Sequence, residues 1–210
     1  LGESPSGIGN YEILYSAHED IKNLTNQGVD GICTPITLNA SKIDPESLLG
    51  VVENLTELAS QVLPDIFRYW QKHYENSKYS QFLDFLYNCK EEDNNFQTID
   101  VAGREGTTKL NASTSNAMIS RLTTANQYFE NEKGKEIDAD DILKQGKMTV
   151  IDVARSIEFG SIVLRYLLNR IVKEKTENNN QVPILIIIDE VHQFYKSSAS
   201  KNALGDLDTI

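Results

Sequence analysis

Two adjacent carboxylates, Asp189 and Glu190, follow five consecutive aliphatic residues, Ile184-Leu-Ile-Ile-Ile188. A short aliphatic run that follows Pro183 and ends in two acids reads as a buried strand, and a buried strand ending in Asp-Glu has the form of a Walker B element. Nucleotide phosphates sit beyond the carboxyl ends of parallel strands, where an Asp holds Mg²⁺ directly or through water. The next carboxylate points the other way, toward the water that attacks the γ-phosphate of ATP. Asp189 is therefore the candidate metal-supporting acid and Glu190 the candidate catalytic one. His192 either senses the γ-phosphate or is a polar residue on the following turn. Asp152, at the end of Val150-Ile-Asp152, is either a second acid beside the site or a cap or loop residue. The bland reading of the whole constellation is a strand that ends in an acidic turn.

A Walker B element needs a phosphate-cradling partner of the form Gly-x4-Gly-Lys-Ser/Thr, and no stretch of the chain spells it. Gly103-Arg-Glu-Gly106-Thr-Thr-Lys109 has the composition without the spacing. Gly2 and Gly7 have the spacing, but Ile8 and Gly9 stand where Lys and Ser/Thr belong. Other constellations are weaker. His18-Glu19-Asp20 reads as a solvated acidic turn, and His73, near Trp70 and Tyr74, reads as ordinary packing. Lys196-Ser-Ser-Ala-Ser-Lys201 reads as a mildly basic solvent loop. No Ser/His/Asp or Cys/His nucleophile arrangement is legible.

The elements that must position these acids follow from periodicity. Tyr11–Tyr15 and Gly31–Ile36 read as short strands in a Gly- and Thr-punctuated start. Asp44-Pro45 opens a helix, Asp as cap and Pro in the first turn. Leu48, Val52, Leu55, Ala59, Val62, Ile66 and Trp70 then recur every three or four residues, one apolar face of a long helix with a kink or restart at Pro64. Residues 81–89 continue helical, 90–95 are a solvated loop, and another helix covers about 115–129. Residues 146–153 read as a strand, Ser156 opens an amphipathic helix, and Pro183 precedes the aliphatic run. Strand, helix and strand in that order form a βαβ unit with parallel strands. The fold class expected is α/β, with a helical subdomain inserted into or packed on the core.

The whole is 210 residues, enough for one domain with a real core. Acidic residues outnumber basic ones by 31 to 20, a net charge of −11, which excludes a surface that grips phosphate backbone everywhere while allowing a local basic patch. No window approaches the roughly 18 apolar residues of a membrane span, and the start has no basic and apolar leader pattern. The two cysteines, Cys33 and Cys89, lie far apart and form no zinc-ligand motif. A cytoplasmic protein with reduced thiols and no membrane contact is expected. The abrupt ends, Leu1 and Ile210, suggest a fragment of a longer protein.

Three pieces taken together resemble the HerA-like ATPases of the HerA–FtsK P-loop superfamily, which are DNA translocases and helicases. They are Leu143-Lys-Gln-Gly-Lys-Met-Thr-Val-Ile-Asp152, the helical stretch Ile162–Ile171, and Val182-Pro-Ile-Leu-Ile-Ile-Ile-Asp-Glu-Val-His-Gln-Phe194. The match covers about residues 138–194. The resemblance implies a parallel-sheet P-loop ATPase-like core carrying a helical insertion. Residues 1–43 would be a strand and loop part of that core, 44–135 the helical subdomain, and 136–210 the βαβ part with Walker B. It also implies ATP and Mg²⁺ as cofactors, movement of double-stranded DNA through a homohexameric ring, and a NurA-like nuclease as partner. Carried over by position, Asp189 supports the metal and Glu190 is catalytic. The chain departs from the family in lacking the Walker A Lys and Ser/Thr and the later sensor and arginine-finger segments.

Two other readings stand beside it. One is a non-catalytic assembly or regulatory module that retains an ATPase-like scaffold. The other, a helicase of the DExH type, rests on Asp189-Glu-Val-His192 and is disfavoured by the preceding Gly-Lys strand and long helix.

Overall fold

The computed structural model describes residues 10–19, 33–50, 52, 55–137, 142, 144–153, 156–177 and 183–189. Within them a four-stranded parallel sheet is assembled from β1 (Tyr11–Ser16), β2 (Cys33–Thr37), β5 (Lys135–Glu136) and β6 (Met148–Asp152). A separate antiparallel hairpin joins β3 (Asn95–Ile99) to β4 (Glu105–Lys109). The helices are α1 (Glu57–His73), α2 (Tyr79–Glu91), α3 (Ala112–Ala125) and α4 (Ile157–Thr176), with 3-10 turns at Pro45–Gly50 and Asn126–Tyr128. The protein is thus mixed α/β with a parallel main sheet, as expected for the class.

The apolar face read from Leu48 to Trp70 packs on the core, with Leu55 and Val62 only partly buried, but it is divided between a 3-10 turn, the segment after it and one helix. Pro45–Gly50 winds as a 3-10 helix and stops, and α1 begins afresh after Thr56, whose hydroxyl accepts from Ala59 N at 3.3 Å. At Gly50 the 3-10 turn runs close against α4. A Cβ on Gly50 would lie 2.9 Å from both Ile162 N and Ser161 C of α4, so the chain passes too close to that helix to carry a side chain. Pro64, by contrast, is absorbed inside α1 and buried without ending it.

Behind the sheet lies a core rich in aromatic residues. Phe67, Trp70, Tyr79 and Phe82 are fully buried, Phe67 meets Phe82 edge-on at 4.8 Å, and Tyr79 stacks on Phe129 at 4.0 Å. Apolar contacts run without interruption from Leu14 and Ile36 of the sheet through Trp70 and Met118 to Phe159 and Ile162 of α4. Stacked and edge-to-face pairs add about 0.5–1.5 kcal/mol each to the stabilisation from area burial. A carboxylate fastens this layer to the sheet margin. Glu130 accepts from Ala40 N at 2.8 Å and Tyr79 N at 3.0 Å, and burial raises its pKa despite those two bonds.

Two stretches depart from the sequence reading. Residues 95–109, for which no strand was read, are a hairpin in which Gly103–Lys109 supplies a turn and β4, in line with the missing phosphate-loop spacing. Ile184–Ile188 forms no strand: Leu185 and Ile187 are more than four-fifths exposed, and the parallel βαβ unit is not closed among the described residues. An aliphatic run becomes a strand only by hydrogen-bonding to a neighbour, and hydrophobicity does not encode that partner.

Candidate functional site

Strand order locates the place where this sheet can hold a ligand. Its order is β5-β2-β1-β6. From β1 the chain steps outward to β2 and β5, then returns to add β6 on the opposite side of β1. The winding reverses between β1 and β6, and in open parallel sheets a crevice opens beyond the carboxyl ends of the two strands at such a reversal. In register, Tyr15 of β1 lies beside Asp152 of β6. The residues that follow these two ends, together with the nearby 3-10 turn, form the candidate site.

A chain of polar groups lines it. Ser16, the last residue of β1, is buried, and its Oγ lies 2.6 Å from Nδ1 of the exposed His18. The His18 ring meets Tyr128 edge-on, centroids 5.1 Å apart. Tyr128 Oη is 2.8 Å from Ser156 Oγ, and Ser156 caps α4 by accepting from Phe159 N at 3.3 Å. The tyrosine backbone is fixed as well, since its carbonyl accepts from Leu38 N at 2.9 Å and Thr37 Oγ1 at 3.1 Å. Sheet ends, 3-10 turn and helix α4 are thereby bonded into one rim.

Partial desolvation of the ring, although the residue as a whole is exposed, lowers the His18 pKa and favours the neutral imidazole, and burial raises that of Tyr128, which stays a phenol. The rim offers two hydroxyls, a phenol, a neutral imidazole and the amides of a helix N-terminus. None of the hydrogen bonds just described involves Lys or Arg. Among the described residues the rim is a hydrogen-bonding cradle. Asp152 stands at the β6 end beside Tyr15, half-buried, and Glu158 and Glu19 lie near Tyr128.

The residues expected from sequence stand as follows. Asp189 is exposed, in a turn after residues 183–188. Glu190 and His192 lie outside the described residues. Sequence reasoning passed over Ser16, His18 and Tyr128 as site residues. The available signal was topological: a Ser and a His directly after a strand mark the strand's carboxyl end, which matters only once that strand is known to flank the reversal. Among the described residues no group of three or more His, Cys, Asp or Glu could hold a metal ion. Magnesium bound with substrate phosphates needs one or two carboxylates rather than a protein cage, and Asp152 supplies one at the β6 end. No helix among the described residues is long and apolar enough to cross a membrane.

Comparison with protein-family models finds no match, and neither curated proteins nor solved structures yield one.

Proposed function

We propose that this chain is part of an ATP-hydrolysing DNA translocase or helicase motor of the HerA type, in which ATP turnover drives movement of double-stranded DNA. The observation that carries the reading is the parallel sheet whose order reverses at β1 and β6, with Asp152 at the carboxyl end of β6 and the Asp189-Glu190 pair later in the same chain. On this reading Asp189 supports the magnesium of bound ATP, Glu190 orients and deprotonates the attacking water, and His192 faces the γ-phosphate. The phosphate-cradling loop that the 210 residues do not spell comes from elsewhere in a longer polypeptide. The net charge of −11 accords with a ring subunit that touches duplex DNA through a few loops, most of its surface facing away from the channel. A homohexamer in the cytoplasm, with a NurA-like nuclease beside it, belongs to the same proposal.

The test is Glu190→Gln in the complete polypeptide. ATP binding, followed by calorimetry with Mg²⁺, is expected to persist while DNA-stimulated turnover stops; unchanged turnover defeats the assignment. The 210-residue chain alone is expected to hydrolyse no ATP and to bind duplex DNA weakly, and tight, salt-sensitive binding by it contradicts the proposal. A second reading is favoured by one observation, the exposure of Leu185, Ile187 and Asp189 outside any strand. In it the chain is a non-catalytic assembly or regulatory module that keeps an ATPase-like scaffold. Absence of ATP binding by the complete polypeptide selects this reading.

A further inference from the structure

The hairpin β3–β4 has one covered strand and one bare one. β3 packs on α1 with Phe96 and Ile99 buried, whereas Glu105, Gly106, Thr107 and Lys109 of β4 are exposed, and among the described residues no strand lies on the outer edge of β4. Its pairing fixes what that edge presents. Asp100 N bonds Arg104 O, and Leu110 N bonds Asn94 O. Hydrogen-bonded pairs therefore fall at Arg104, Gly106, Thr108 and Leu110. By the alternation of an antiparallel ladder, Glu105, Thr107 and Lys109 turn their N–H and C=O groups outward.

We infer that β4 pairs with β4 of a second copy of this chain, antiparallel and centred on Thr107, to give a continuous four-stranded sheet. The register follows from two independent features. A two-fold axis through a hydrogen-bonded pair must pass through a residue whose backbone groups face outward, and Thr107 is the middle one of three. Centring there sets Glu105 opposite Lys109 of the second copy, and Lys109 opposite Glu105, so the strand is complementary in charge to itself. Both side chains keep bonding capacity beyond their pairs within the chain. Lys72 at 3.0 Å and His73 at 3.1 Å both bond Oε1 of Glu105, and Oε2 takes no bond among the described residues. Lys109 bonds Asp93 through one ammonium that carries three donors. Gly106, Thr107 and Thr108 between the charges place nothing bulky in the path of an approaching backbone. The edge also lacks the proline or bulge that commonly blocks such pairing. Five residues a side make a small contact, so the dimer is a weak, reversible one. The contact is isologous, distinct from the head-to-tail contacts of a ring, and does not depend on the nucleotide reading.

The mass of the 210-residue chain by sedimentation equilibrium, up to about 100 μM, tests it. The wild-type chain is expected to approach dimer mass at the upper end. Glu105→Lys and Lys109→Glu are each expected to stay monomeric, because like charges then face each other across the axis. An equimolar mixture of the two variants is expected to dimerise again, since each cross-strand pair becomes complementary. The contacts within one chain, to Lys72, His73 and Asp93, are not repaired by mixing, so recovery reads the contact between copies. Thr107→Pro removes an N–H that the hairpin does not use and should weaken association about tenfold or more, with an unchanged circular dichroism spectrum. A wild-type chain that remains monomeric, a mixture no more associated than its components, or association indifferent to Thr107→Pro with the fold intact overturns the inference.

Discussion

Replacing Gly50 by Ala adds one methyl group where two backbones touch. The added Cβ would lie 2.9 Å from Ile162 N, 2.9 Å from Ser161 C and 3.2 Å from Ile162 Cα. Favourable separations begin near 3.5 Å, so α4 must withdraw by about 0.5 Å or the 3-10 turn must shift by as much. Neither yields easily: the obstructing atoms are main chain, and Leu48, Phe159, Ile162 and Val163 around them are all but fully buried. Overpacking of this kind costs about 1–3 kcal/mol. For a chain of this size that lowers the melting temperature by about 3–10 °C, measurable by calorimetry or circular dichroism. Gly103→Ala is the comparison. Nothing lies within 4 Å of its Cβ, but its φ is +80°, so only the backbone penalty of about 1 kcal/mol applies. The larger loss is expected at Gly50. A Gly50→Ala melt within about 1 °C of the wild type would refute the steric argument and the close seating of α4.

Removing the Glu130 carboxylate with Glu130→Ala leaves Ala40 N and Tyr79 N without their acceptor, an expected loss of about 2–4 kcal/mol in denaturant titrations, and Glu130→Gln, which keeps one acceptor oxygen, should lose less. Glu12 is held below the ordinary carboxylate range, chiefly by the hydrogen bond from Lys147 and then by that from Thr34. A depressed folded-state pKa gives stability that is present above the unfolded value and lost as pH falls through the folded one. Glu12→Gln should thus be about 1 kcal/mol less stable than wild type near pH 7, with the gap closing in acid as wild type loses the same contribution. Tyr128→Phe removes one partner of the Ser156 hydroxyl while leaving the cap to Phe159 N in place, and should cost about 1 kcal/mol in chemical denaturation without loss of helix signal.

The helices were legible because burial along them repeats at helical spacing and their starts carry chemical markers. Ser156 before α4 and the face from Ala59 to Trp70 are both where the pattern puts them. The strands β1, β2 and β6 were legible as short β-branched or aromatic runs. The hairpin was not, because Asn95–Ile99 and Glu105–Lys109 are short and polar, and their turn is made by side chains. Asp100 Oδ1 accepts from both Ala102 N and Arg104 N at 2.9 Å, and Gly103 takes the left-handed conformation. The aliphatic run 184–188 shows the reverse, a strong pattern with no strand, since the edge it would need is specified elsewhere in the chain. The polar rim was illegible for a related reason. Ser16 and Tyr128 lie far apart in sequence and are joined only through His18, once the sheet seats the 3-10 turn beside the end of β1.

The bonds that tie Leu38 to the 3-10 turn, Leu38 N to Tyr128 O and Glu130 N to Leu38 O, each 2.9 Å, bind the helical layer to the prolongation of β2. Cutting the chain at residue 43 or at residue 136 would therefore sever a ladder and bare the stacked rings of Tyr79 and Phe129 on one side. Neither half would hold its shape when expressed separately, and protease nicking there would release insoluble pieces rather than two tidy modules. Heating should accordingly give a single endotherm in which sheet and helices melt as one body.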